Sequence, residues 1–200
     1  MCFEGTDKIG NHFLFSVYIG ATLIFAQIYP AYAAPKIETA YNFYSVSGTT
    51  VGAIGKSMKE MSPFDSIGRT QTKEYKWRKW WDKGASTCKL FRLRVSTKIK
   101  YTLPRHKNKK ALPPNLRRKW ETYISKLTKH EHNHGKIIIE GAVELEKKLA
   151  GLNPRSSCTK LTIEAKRLAA EAYKEMDRRN KAYDRRTRNG ASEGIVWPRN

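Results

Sequence analysis

The residues with the most chemistry in this chain lie in the run Lys129-His130-Glu131-His132-Asn133-His134-Gly135. In a helix, His130 and His134 stand one turn apart on one face, so two imidazoles can aim at one ion. Glu131 sits beside them and can reach a water on that ion. Zinc lowers the pKa of such a water towards about 7, and a carboxylate can accept its proton as it attacks a carbonyl. This H-E-x-x-H spacing marks His130 and His134 as metal ligands, Zn2+ as the metal and Glu131 as general base. The competing reading is a histidine pair satisfied by hydrogen bonds at a helix seam. His132 falls on another face, towards solvent, and His106 falls in a basic loop.

Zinc takes three ligands from a catalytic protein site and keeps a fourth position open. Glu140 points to a different side of the helix, and Glu144 lies about 15 Å further along the axis. A second, antiparallel helix joined by a short turn would set Glu171 and Glu175 level with His134 and His130. Asp184, just past that helix, is a further candidate. The third ligand stays open: one of these three carboxylates, or none.

These side chains need a helical frame. The first long helix starts near Asn115, with apolar positions at Leu116, Trp120, Tyr123, Ile124, Leu127, Ile138, Ala142, Leu145 and Leu149. They recur at about 100° per residue. Gly151 and Asn153-Pro154 stop it. Ser156 or Ser157 can cap a second helix whose apolar face is Cys158, Leu161, Ala165, Leu168, Ala169, Ala172 and Met176. A short turn makes the two antiparallel neighbours.

The first half of the chain reads mostly as strands. Residues 34–48 alternate around Tyr41, Phe43, Tyr44 and Val46, and Thr49 to Met61 has helical spacing ended by Ser62-Pro63. Thr70 to Trp81 is a second strand, broken by Asp82-Lys83-Gly84. From Lys89 to Tyr101 the alternation is strict, with Phe91, Leu93, Val95, Thr97, Ile99 and Tyr101 on one face. Leu103 to Pro114 reads as a basic loop. The fold class is α+β: a small antiparallel sheet packed on a long antiparallel helical hairpin that carries the histidines.

The first thirty-odd residues are of another kind. No charged side chain occurs from Phe13 to Ala34, and Ala31 and Ala33 suit signal peptidase. Residues 1–33 therefore read as a signal peptide cut after Ala33, with residues 34–200 as a single domain. Glu4 and Asp7 beside Lys8 are poor for a positive leader, so an uncleaved anchor is the alternative. Cys2 leaves with the leader. Cys88 and Cys158 remain as an even pair, which predicts a disulfide in an oxidising compartment, with two separate buried thiols as the alternative. The chain has 39 Lys and Arg against 18 Asp and Glu, a formal charge of +21. Such charge attracts anionic cell-envelope polymers, lipids or acidic substrates. Export and the lack of a nucleic-acid-binding motif argue against nucleic acid.

Over roughly Tyr41 to Pro198 the chain resembles a bacterial family described as predicted secreted zinc-dependent proteases. The likeness rests on Tyr44-Ser45-Val46-Ser47-Gly48, Cys88, Leu103-Pro104, Trp120 and Tyr123, the histidine motif, Cys158, and Tyr183-Asp184-Arg185-Arg186-Thr187-Arg188-Asn189-Gly190. The resemblance implies a periplasmic or secreted zinc protease with paired cysteines and His130, Glu131 and His134 at its core. The family's closing motif has the form T-x-H-G, and Asn189 stands here where it has histidine. The sequence therefore points to an exported metallopeptidase acting on proteins or peptides. The alternative is a weakened or inactive envelope protein of the same fold that holds an anionic partner on its basic surface.

Overall fold

The computed structural model describes residues 34–198 except 73, 74, 76, 78, 83–85, 91 and 92. The leader read over residues 1–33 lies outside the described residues, as does Phe91 of the predicted strand face. Among the described residues no helix is long and apolar enough to cross a membrane.

Among the described residues five strands and three α-helices follow in the order β1 (Lys36–Val46), α1 (Val51–Met61), β2 (Arg69–Thr72), β3 (Lys79–Asp82), β4 (Thr87–Leu90), β5 (Ser96–His106), α2 (Pro114–Ala150) and α3 (Cys158–Thr187). This is the α+β arrangement of a small sheet on a helical hairpin. The strand order is β1-β5-β2. β2 runs antiparallel to β5, from Arg69 opposite Thr102 to Thr72 opposite Ile99. β1, however, runs parallel to β5, from Lys36 opposite Ser96 to Val46 opposite His106. The sheet is therefore mixed rather than antiparallel. A parallel pair needs a long crossover. Everything between Val46 and Ser96 supplies it, including α1 and the separate β3–β4 hairpin.

The alternation from Val95 to Leu103 buries Val95, Thr97, Ile99, Tyr101 and Leu103, while Lys98 and Lys100 stay exposed. The strand limits differ from the sequence reading at both ends. Residues 88–90 belong to β4, paired with β3. The predicted strand over 70–81 splits between β2 and β3, because Tyr75 turns inward to pack beside Ala142 and Leu145. At its far end β5 runs through Leu103-Pro104 to His106. β2 accompanies β5 only to Thr102, so Pro104 falls where one side has no strand neighbour among the described residues, a position that tolerates a missing N–H. His106 is thus buried rather than in a loop. Its Nδ1 accepts from the Asn108 N–H, and its Nε2–H donates to the Gly48 carbonyl at 2.9 Å.

α2 begins with proline at its first turn and presents the predicted stripe: Leu116, Trp120, Tyr123 and Leu127 towards one core cluster, Ala142, Leu145 and Leu149 towards another. Ile138 joins Ile99, Tyr101 and Met176 between them. The histidines occupy the break in the stripe between Leu127 and Ile138. Of the two candidate serines, Ser157 caps α3 by accepting from Lys160 N–H. Gly135 lies where the hydroxyl of Tyr101 on β5 meets the helix, and a side chain there would overlap it. β4 is tied to the start of α3 twice. Cys88 and Arg155 exchange backbone hydrogen bonds of 2.8 and 2.9 Å, and Cys88 is disulfide-bonded to Cys158, 70 residues away in sequence.

Two outcomes follow from this packing. Reducing the Cys88–Cys158 bond lowers stability by about 2–5 kcal/mol, read as an earlier chemical-denaturation midpoint in thiol; identical midpoints with and without thiol would contradict it. Gly135→Ala destabilises by about 1–3 kcal/mol through overpacking, although alanine favours helix by about 1 kcal/mol over glycine. Tyr101→Phe in the same chain recovers part of that loss. A Gly135→Ala protein more stable than the parent would refute the close approach.

Candidate metal centre

His130 and His134 lie on successive turns of α2 and face α3, whose last turn carries Asp184. Asp184 is therefore inside the helix rather than just past it. Its Oδ1 lies 3.3 Å from His130 Nε2 and 3.0 Å from His134 Nε2, and the two Nε2 atoms are 3.2 Å apart. The other nitrogen of each ring faces an oxygen outside this trio. His130 Nδ1 is 2.8 Å from Glu193 Oε2, and His134 Nδ1 is 2.9 Å from Asn180 Oδ1. His130 is only 5% exposed. His130, His134 and Asp184 form a group that could hold a metal ion. The fit is geometric. Bonds of about 2.0–2.1 Å around a tetrahedral ion put neighbouring ligand atoms about 3.3 Å apart, close to the spacing of this trio.

The other two carboxylates weighed as third ligand are elsewhere. Glu171 accepts from Arg167 at 2.6 Å on the surface of α3. Glu175 accepts from Arg178 and Arg179, and those two guanidinium groups hold its carboxyl down to about 2. The connection between the helices explains the shift. Residues 151–157 do not form a tight turn but run out to pair Arg155 with Cys88 before the Ser157 cap. The register across the hairpin slips accordingly, and Asn180 rather than Glu171 faces His134. Asn189 lines the cleft beside the trio with left-handed φ of 53°. Its N–H donates to the Asp184 carbonyl at 2.7 Å.

Glu131 is turned away from α3 towards β2. It is 4% exposed, and its Oε2 accepts from the Thr70 hydroxyl at 2.6 Å. Its Oε1 rests against Gly68, where an added Cβ would come within 2.6 Å. Burial raises the Glu131 carboxyl above the ordinary carboxylate range, while the Thr70 hydrogen bond and the two histidines pull the other way. Glu131 and the trio open into one cleft of about 820 Å³, with β2 on one wall and Met176 and Asn180 of α3 on the other. Its size is that of a ligand site. A cation held here would keep one side open towards the cleft, with a buried carboxylate next to it.

His132 is half-buried rather than turned to solvent. It hydrogen-bonds the Tyr41 hydroxyl at 2.9 Å and meets the Tyr101 ring edge-on. Sequence reasoning also missed Asn180 and Glu193. Asn180 precedes Asp184 by one turn on the same face of α3, so the spacing that links His130 to His134 could have found it. Glu193 lies beyond α3, and no local pattern points to it.

The chain belongs to a bacterial protein family of unknown function, DUF922, which matches residues 41–191. Comparison with curated proteins and with solved structures finds no match to either. The family thus supplies membership but no activity.

The Thr70 contact sets a measurable property of Glu131. In the metal-free protein, Thr70→Val removes a hydrogen bond to the charged form and moves the Glu131 pKa further up, as followed by carboxyl 13C shifts during titration. An unchanged or lower value would show that Thr70 does not stabilise the carboxylate.

Proposed function

We propose that this protein is an exported zinc-dependent metallopeptidase in which His130, His134 and Asp184 hold the metal and Glu131 is the general base. The meeting of three lone-pair atoms at 3.0–3.3 Å carries the proposal. With its proton on Nδ1, towards Glu193 or Asn180, each imidazole would turn a bare Nε2 to the Asp184 carboxylate. In that tautomer three acceptors face one another, and a cation between them removes their repulsion. Two imidazoles and one carboxylate suit zinc, whereas calcium and magnesium favour all-oxygen sites.

Zinc in this position would lower the pKa of a water ligand towards about 7 and polarise a scissile carbonyl. The chain's own residues do the rest. Glu131 receives the proton from the attacking water and passes it to the leaving amine. Its burial strengthens it as a base towards the attacking water, since a raised pKa favours taking up the proton. Thr70 and Gly68 keep its carboxyl in place. The Cys88–Cys158 bond is compatible with an oxidising compartment and supports export.

The alternative, an inactive envelope protein holding an anionic partner, draws on Asn189 standing where the resemblance has histidine. The trio is complete without that position, and the buried base is retained, so the peptidase is favoured.

The test is direct. The purified protein binds one zinc per chain at neutral pH and hydrolyses casein. Glu131→Gln keeps the zinc and loses activity by about 10²–10⁴-fold. Asp184→Asn loses both. Zinc no higher than background, or hydrolysis that survives in Glu131→Gln, would overturn the proposal.

A further inference from the structure

We infer that the segment beyond α3 is a working part of the centre, and that Glu193, which it delivers, is the positioning residue for His130. The role of the metal rests on the function proposed above; the hold on the ring does not.

The path of the chain is fixed on both sides of Glu193. On one side, Arg188, Asn189 and Gly190 take left-handed φ of 52°, 53° and 82° and reverse the chain at the end of α3. The Thr187 hydroxyl donates to the Tyr183 carbonyl and accepts from Gly190 N–H, and the Glu193 and Ile195 N–H groups both donate to the Gly190 carbonyl. Gly190 is packed so closely that an added Cβ would lie 3.4 Å from His130 Nδ1 and overlap Ile195. On the other side, Trp197 enters the core. Its ring meets Trp120 and Tyr123 edge-on at 5.9 and 5.3 Å, and its Nε1–H donates to the Val51 carbonyl at 2.9 Å.

Between these two anchors both oxygens of Glu193 are used. Oε2 faces His130 Nδ1 at 2.8 Å, and Oε1 accepts from the Tyr183 hydroxyl at 2.7 Å. That hydroxyl in turn accepts from Asn133 Nδ2–H at 2.9 Å. The Tyr183 ring also stacks on the His130 ring, 4.9 Å away and tilted by 26°. His130 is therefore held at its edge by Glu193 and at its face by Tyr183. His134 differs: its partner is neutral Asn180, carried by α3 itself.

A carboxylate on Nδ1–H does two things. It fixes the proton on Nδ1, which leaves Nε2 bare towards Asp184 and His134, and it makes that nitrogen the stronger donor to a metal. Removing such a partner typically costs 10–100-fold in metal affinity. The centre thus depends on a tail whose position is set by Trp197, on the α1 side of the fold. Glu193 and Trp197 also fall beyond residues 41–191, which the family matches.

Two readouts on the full chain test this. In the metal-free protein, long-range 15N–1H spectra show His130 with its proton on Nδ1. In Glu193→Ala that preference is lost, and zinc affinity by chelator competition falls 10–100-fold, with His134 keeping its tautomer. Glu193→Asp falls between the two. Tyr183→Phe loses only one hydroxyl and should shift both readouts in the same direction by less, which covers the case of a Glu193→Ala chain that fails to fold. Trp197→Ala, with Glu193 still present, reproduces the Glu193→Ala pattern. If Glu193→Ala, or Tyr183→Phe where the first does not fold, keeps the parent tautomer and affinity, Glu193 does not position His130. If the parent binds no zinc, the peptidase proposal fails, and the tautomer readout still decides the role of Glu193.

Discussion

The structure depends on holding three atoms, His130 Nε2, His134 Nε2 and Asp184 Oδ1, within 3.3 Å of one another across two helices. Their backbones are fixed from outside. The helical hairpin does this by burying apolar residues on both sides of the trio: Leu127 and the Trp120 cluster on one side, Ile138 and Met176 on the other. The histidines occupy a stretch of the stripe of α2 where polar side chains replace aliphatic ones.

The sheet has a different task. β5 lies against α2 at Gly135, and β2, its antiparallel neighbour, brings Thr70 and Gly68 to Glu131. The candidate base is therefore placed by the sheet, and the candidate ligands by the hairpin. Glu131 and His130 are adjacent in sequence and line one cleft, yet contact different elements, β2 and α3. The Cys88–Cys158 bond and the Cys88–Arg155 pairing tie the separate β3–β4 hairpin to the start of α3, and Trp197 ties the tail to α1 and α2.

What could be read from the sequence was local. The pair His130 and His134 follows from four-residue spacing, the stripe of α2 from its period, and the inward face of β5 from alternation. What could not be read was set over long range. Alternation does not encode strand direction, so the parallel pairing of β1 with β5 was invisible. Asp184 could not be separated from Glu171 and Glu175, because the register of the hairpin depends on where Arg155 pairs. Glu193 could not be found at all, since the tail's course is set by Trp197 packing on residues far upstream. Asn189, the apparent gap in the motif, lines the same cleft as the trio that could hold a metal ion.

Anomalous diffraction at the zinc edge, from crystals of the zinc-loaded protein, tests the central claim most directly. The account predicts one peak about 2.0–2.2 Å from His130 Nε2, His134 Nε2 and Asp184 Oδ1, with a further position open to the cleft. Zinc bound elsewhere, with these three atoms still in contact and no peak between them, would contradict it.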